Sequence, residues 1–93
     1  MREIRYTSRF KRDYKREKSG RHSKTLDAVL MEVVNLLAAD IPLPYRNHDH
    51  PLSGEWADYR DCHVKPDLIL IYRKPDPDHL DLVRIGSHSE LGL

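Results

Sequence analysis

The sequence predicts an α+β fold of order β-α-α-β-β-β, with a helical hairpin packed on one face of a mainly antiparallel four-stranded sheet. Two patterns carry that prediction. Leu26, Val29, Leu30, Val33, Leu36 and Leu37 repeat at the i, i+3, i+4, i+7 spacing of a helix with one buried face. Downstream, three strand-like runs are separated by Val64-Lys65-Pro66-Asp67 and Lys74-Pro75-Asp76-Pro77-Asp78, segments of hairpin length that favour antiparallel neighbours.

The elements follow in order. Arg2 to Tyr6 alternates, with Ile4 and Tyr6 on one side, and reads as a short first strand. Ser8 is a suitable N-cap for a helix over about Arg9–Lys18, in which Phe10 and Tyr14 stand one turn apart. Ser19-Gly20 is a stop and turn signal, and a second helix is expected from about Ser23 to Ala39. Asp40 to Ser53 holds Pro42, Pro44 and Pro51, which rules out a long helix or a central strand and leaves an extended surface connection. The strand runs are Trp56–His63, then Leu68–Arg73, then His79–Gly86. The second is almost continuously apolar and is therefore expected at the centre of the sheet.

A chain of 93 residues is sized for a single domain, here residues 1–93, with one modest core. Mean hydropathy is −0.72, yet the apolar residues cluster too regularly for a disordered chain. No stretch approaches a membrane span, and Met1 leads directly into charge rather than into a signal-peptide apolar region. Cys62 is the sole cysteine, which excludes an internal disulfide and any multi-cysteine zinc site. A cytoplasmic setting, no membrane partner and no cofactor are expected.

The net charge of +1 conceals a strong asymmetry. Residues 1–25 carry ten Lys/Arg against three acids, and residues 26–93 carry six against twelve. The helical hairpin thus offers Lys11, Arg12, Lys15, Arg16, Lys18, Arg21 and Lys24 as a basic face for a polyanion such as RNA. The plainer alternative is a well-solvated helix pair.

Four histidines fall in loops or at element ends: His48, His50, His63 and His88. Asp67 begins the strand after His63, so antiparallel pairing is expected to bring the two together. Imidazole titrates near neutral pH, and several imidazoles with a carboxylate on one rim of the sheet make a proton-transfer site. The rival use is a metal site built from His48-x-His50, His63 and Asp67, but that spacing matches no specific zinc motif and no metal is expected. Cys62 points to the opposite face from His63 and reads as a small apolar filler. Arg60, Arg73 and Arg84 are candidates to clamp a phosphate, against the simpler role of exposed or paired strand arginines.

Three stretches resemble a known family. They are His50-Pro51-Leu52-Ser53-Gly54-Glu55-Trp56, then Tyr59-Arg60-Asp61-Cys62-His63-Val64-Lys65-Pro66-Asp67-Leu68-Ile69-Leu70-Ile71-Tyr72, then Arg84-Ile85-Gly86-Ser87-His88-Ser89-Glu90-Leu91. They are similar to the YafQ-type toxins of the RelE/ParE superfamily of type II toxin–antitoxin systems, over essentially the whole chain. The resemblance implies a RelE-like fold and an endoribonuclease that cuts messenger RNA in the ribosomal A site and inhibits translation. It implies that His50, His63, Asp67 and His88 occupy catalytic positions, without a metal. It also implies a cognate antitoxin, ribosome and mRNA as partners, and operator DNA only through the antitoxin complex. Gly92 stands where YafQ-like sequences place a phenylalanine, so a base-stacking ring is missing. Two other readings share the scaffold: a ParE-like toxin that acts on gyrase without cutting RNA, and an RNA-binding module without catalysis.

Overall fold

The computed structural model describes residues 1–93. Its regular elements are β1 (Glu3–Tyr6), α1 (Ser8–Lys18), α2 (Leu26–Ala38), β2 (His50–Pro51), β3 (Arg60–Lys65), β4 (Leu68–Arg73), β5 (His79–Gly86) and α3 (His88–Leu91). Single 3₁₀ turns at Tyr45–Asn47 and Gly54–Trp56 interrupt the long connection. The sheet runs β1-β5-β4-β3-β2, antiparallel throughout except for the parallel β1–β5 pair. The expected α+β order holds, with β4 at the centre. The sheet has five strands rather than four because two residues of the Pro-rich connection pair with β3, His50 opposite Asp61 and Pro51 opposite Arg60. Proline is tolerated there because β2 is an edge.

Strand alternation sends side chains to two faces. One face carries Cys62, Val64, Leu68, Leu70, Tyr72, Leu80, Leu82 and Ile85, which pack with Phe10 of α1 and Leu26, Leu30, Val33, Val34 and Leu37 of α2 into the main core. The other face carries Ile69, Ile71 and Val83, closed by Leu91 of α3 with Leu52, Trp56 and Tyr59 at its margin. Cys62 is fully buried, and burial pushes its thiol pKa up, so it is a filler and not a nucleophile.

Several boundaries differ from the sequence reading, each for a local reason. Thr7, not Ser8, caps α1: its hydroxyl accepts the Phe10 N–H at 3.0 Å and donates to the Val83 carbonyl at 2.8 Å, fixing helix and sheet together. Helix α2 starts at Leu26 rather than Ser23, and the Thr25 hydroxyl is taken by the Lys65 ammonium instead of capping. The strand expected from Trp56 starts only at Arg60. Gly54, at φ 66°, opens a 3₁₀ turn that carries Trp56 out of the sheet.

The β1–β5 ladder ends at Tyr6–Leu82, leaving the second half of β5 paired with β4 on one side and without a strand on the other. Helix α1 fills that place with side chains. Asp13 accepts the Ile85 N–H at 3.2 Å, and Arg16 donates to the Ile85 carbonyl at 3.2 Å. Asp13 also accepts from Arg84 at 2.6 and 3.2 Å and from Arg16 at 3.1 Å. A Cβ on Gly86 would lie 2.9 Å from an Arg16 Nη and 3.1 Å from a Glu90 Oε, so a side chain there would displace the Arg16 guanidinium where β5, α1 and α3 meet. The exposed edge is thereby blunted without another strand.

Candidate functional site

Three imidazoles line up where β3, α3 and the Tyr45–Asn47 turn meet. Ring centroids of His48 and His63 are 5.2 Å apart, and those of His63 and His88 are 5.4 Å apart, both edge-on. Each ring is placed by a separate device. His63 sits in β3 on the face away from the helical hairpin. His88 opens α3, whose capping box joins Ser87 and Glu90 in both directions. His48 follows the 3₁₀ turn in a left-handed conformation, φ 46°, which histidine tolerates better than most residues. Buried Asn47 donates to the His63 carbonyl at 2.7 Å and ties that turn to β3.

The carboxylate beneath this row is Asp61. It lies two residues before His63 and therefore on the same face of β3. It is buried, and Nε2 of His50, opposite it on β2, lies 2.7 Å from Oδ1. No donor is aligned on that oxygen, so the contact is a close approach rather than a directed hydrogen bond. Burial raises the Asp61 pKa, and the charges of His50, His63 and His88 pull the other way without cancelling it. Burial lowers the pKa of His63, as do the neighbouring His88 and His48, while the Pro66 backbone and Asp61 work the other way. His63 is therefore a neutral base at neutral pH.

The expected meeting of His63 with Asp67 does not occur. A register shift between His63 and Lys65 leaves His63 opposite Ile69 and turns Asp67 toward the α1–α2 connection. There its carboxylate is held by Arg21, with His22 Nε2 at 3.8 Å. It lines a polar cleft of about 390 Å³ with Arg16, Ser87 and Glu90, beside the start of α3. The sequence reading puts the carboxylate of the rim at Asp67 and misses Asp61, although the Asp61-x-His63 spacing holds the signal.

All three clamp candidates have acidic partners. Arg84 is bound to buried Asp13 and is largely covered, so it holds the fold together. Arg60 pairs with Asp49 at 3.3 Å and donates to the Tyr72 hydroxyl. Arg73 pairs with Asp81 at 3.2 Å, with its guanidinium 5.5 Å from the Tyr59 ring centroid. The basic face also divides. Lys11, Arg12, Lys15 and Lys24 are exposed and lack acidic partners. Arg16 is tied to Asp13, Glu17 and Glu90, Lys18 to Asp27, and Arg21 to Asp67.

The site has no arrangement of three or more His, Cys, Asp or Glu side chains suited to a metal ion. What it offers is proton transfer, from neutral and exposed imidazoles beside a buried carboxylate on a small α+β scaffold. No helix is long and apolar enough to cross a membrane.

That scaffold and site define a class, small single-sheet α+β proteins with a histidine-lined rim, and comparison with known proteins gives the family. Residues 2–92 match the family model described as "Bacterial toxin of type II toxin-antitoxin system, YafQ", and the chain belongs to that family. It is 39% identical over 91 residues to the mRNA interferase toxin YafQ of Escherichia coli strain K12, covering 98% of this chain and 96% of the relative. A copper-bound mutant toxin from Helicobacter pylori superposes with TM-score 0.84 at 38% identity, covering 98% of this chain and 99% of that one. The toxin in the E. coli DinJ–YafQ toxin–antitoxin complex superposes with TM-score 0.78 at 36% identity, covering 97% and 96%.

Proposed function

We propose that this YafQ-family toxin is an mRNA interferase, a metal-independent endoribonuclease that cuts message in the ribosomal A site by imidazole and carboxylate chemistry. The carrying observation is the His48–His63–His88 row beside buried Asp61, against which the exposed His50 ring lies. Kinship with a named mRNA interferase over nearly the whole chain supports the same reading.

RNA scission without a metal needs a base for the 2′-hydroxyl proton, an acid for the leaving 5′-oxygen, and positive charge for the pentacoordinate phosphate. His63, kept neutral by burial, takes the 2′-hydroxyl proton as the 2′-oxygen attacks phosphorus. The P–O5′ bond breaks as His88, exposed at the head of α3, donates a proton to the leaving oxygen. The products are a 2′,3′-cyclic phosphate and a 5′-hydroxyl. His50, held against Asp61, stabilises the phosphate, and Asp67 acts from the neighbouring cleft by orienting Arg21 and His22 toward the message. Lys11, Arg12, Lys15 and Lys24 contact ribosomal RNA phosphates. The ribosome supplies orientation by drawing the 2′-hydroxyl into line.

A cognate antitoxin is the expected protein partner, as DinJ is for the E. coli toxin, with operator DNA reached only through that complex. The cytoplasm, where ribosomes are, is the expected site of action.

The test is cleavage of a defined message by purified toxin and ribosomes in excess EDTA, with wild type and His88→Ala compared. The expected result is wild-type fragments ending in 2′,3′-cyclic phosphate, and a loss of roughly 10²–10⁴-fold for His88→Ala with unchanged thermal unfolding. Loss of wild-type cleavage on chelation overturns the metal-free chemistry. Growth arrest retained by His88→Ala points instead to a toxin that acts by binding.

A further inference from the structure

Between α1, the Gly54–Trp56 turn and α3 lies an open cleft of about 440 Å³, lined by Arg9, Glu55, Trp56, Tyr59, Leu91 and Gly92 among others. The volume falls within the usual range of small-ligand sites, roughly 300–1,000 Å³. Its chemistry is unlike that of the histidine row. Trp56 and Tyr59 form an edge-to-face pair with centroids 5.2 Å apart, backed by the apolar cluster of Ile69, Ile71, Val83 and Leu91. Tyr59 also carries the Arg73 guanidinium against its ring, so Trp56, braced by Tyr59, is the stacking platform for a flat ring. Arg9 and Glu55 are both exposed, and neither takes part in a salt bridge or side-chain hydrogen bond, in a chain where most arginines are paired. Gly92 ends α3 at φ 72° with open space where a side chain would stand, so nothing closes that wall.

We propose that this cleft is a nucleobase subsite for guanine, with the ring stacked on Trp56, its paired donors on the Glu55 carboxylate, and the adjoining phosphate on Arg9. Guanine alone among the four RNA bases offers two adjacent donors, N1–H and the 2-amino group, that match both oxygens of one carboxylate. Adenine and cytosine offer one amino group beside an acceptor, which a carboxylate repels, and uracil offers a single N–H. Recognition of unstacked bases by aromatic stacking plus Watson–Crick-edge hydrogen bonds is the usual mode for single-stranded RNA.

The subsite rests on the nuclease reading and adds its sequence preference. Helix α3 begins at His88 in the reacting row and ends at Leu91 in the cleft wall. Its rise of about 4.5 Å over three steps is on the scale of one nucleotide step, roughly 3.4 Å between stacked nucleotides and more when they splay. A guanine in the cleft would thus sit beside the scissile bond.

Trp56 is the chain's one tryptophan, so its fluorescence reports the cleft without any need for cleavage. GMP, AMP, CMP and UMP are titrated separately into wild type, Glu55→Gln and Arg9→Ala. The expected result is quenching by GMP with an affinity at least ~10-fold above the other three, falling to about 2-fold in Glu55→Gln. Arg9→Ala should weaken all four alike. No quenching, equal quenching by all four, or a guanine preference that survives Glu55→Gln overturns the proposal. Mapping cut sites on ribosome-bound messages separates the two readings. Guanine-selective quenching without any cleavage sinks the nuclease and leaves the subsite. Cleavage with no enrichment of guanine beside the cut sinks the subsite and leaves the nuclease.

Discussion

Asp13 and Asp61 are equally hidden from solvent, at 3% and 4% exposure, yet their surroundings drive their acidity in opposite directions. For Asp13, burial pushes the pKa up, but the Arg84 hydrogen bond, the Ile85 N–H and the charges of Arg84 and Arg16 outweigh it, and the net shift is downward. For Asp61, burial prevails, and the imidazoles facing it do not reverse it. One carboxylate has fixed, always-charged partners and completed hydrogen bonds. The other has titratable partners and an oxygen without an aligned donor. The same residue type at the same depth is locked into the fold in one place and, on the proposed reading, serves the chemistry in the other, and what differs is whether its partners can change protonation.

The sharpest way to break this contrast is to remove each carboxylate in turn. Asp13→Ala leaves Arg84 covered and unpaired, reopens the β5 edge and should cost roughly 3–5 kcal/mol in equilibrium unfolding, a large share of a typical total of about 5–15 kcal/mol. Because the Asp13 pKa is depressed on folding, its stabilisation is present above the ordinary carboxylate value and is lost as pH falls through the lowered one. Acid unfolding of the wild type should therefore be steepest below the usual aspartate range, and that steepness should shrink in Asp13→Asn. Unchanged stability in either variant contradicts the structural role.

Asp61→Asn should do the reverse. It should reduce cleavage by about 10²-fold while raising stability at neutral pH by about 0.5–2 kcal/mol, as replacing a buried carboxylate that lacks an aligned donor with a neutral amide does. The sign follows from linkage: a carboxyl whose pKa rises on folding favours the folded state when protonated, so its effect on stability worsens as pH climbs through the raised value. Parallel loss of stability and activity would place Asp61 with Asp13 as a structural group.

The same distinction divides the cations of the hairpin. Replacing Lys11, Arg12, Lys15 and Lys24 with alanine should flatten the salt dependence of ribosome binding, by about 0.7–0.9 in log–log slope for each phosphate no longer neutralised. Unfolding free energy should move by no more than about 0.5 kcal/mol. Substituting Arg16 should instead register mainly in stability, since its guanidinium serves Asp13, Glu90 and the Ile85 carbonyl.

What the sequence makes legible follows the same physics. The α2 stripe, the apolar run of β4 and the hairpin turns are local patterns, and they yield the α+β order and the central strand. The two residues of β2 carry no pattern of their own and owe their pairing to β3. The histidines announce themselves by chemistry and placement at element ends. Asp67 reads as their partner only if the β3–β4 register is regular, and the shift after His63 carries it to another cleft. Asp61 is visible in principle through its two-residue spacing from His63. Its burial, and its approach to His50 across the sheet, depend on a strand the sequence does not signal.

Whether this row of imidazoles moves the protons is tested most directly by the pH–rate profile of wild-type cleavage on programmed ribosomes. A bell is expected whose acidic limb lies below the ordinary histidine value of 6.5, because burial and the neighbouring imidazoles keep His63 neutral, and that limb should vanish in His63→Ala. A wild-type rate that stays level between about pH 5 and pH 9 would contradict imidazole proton transfer.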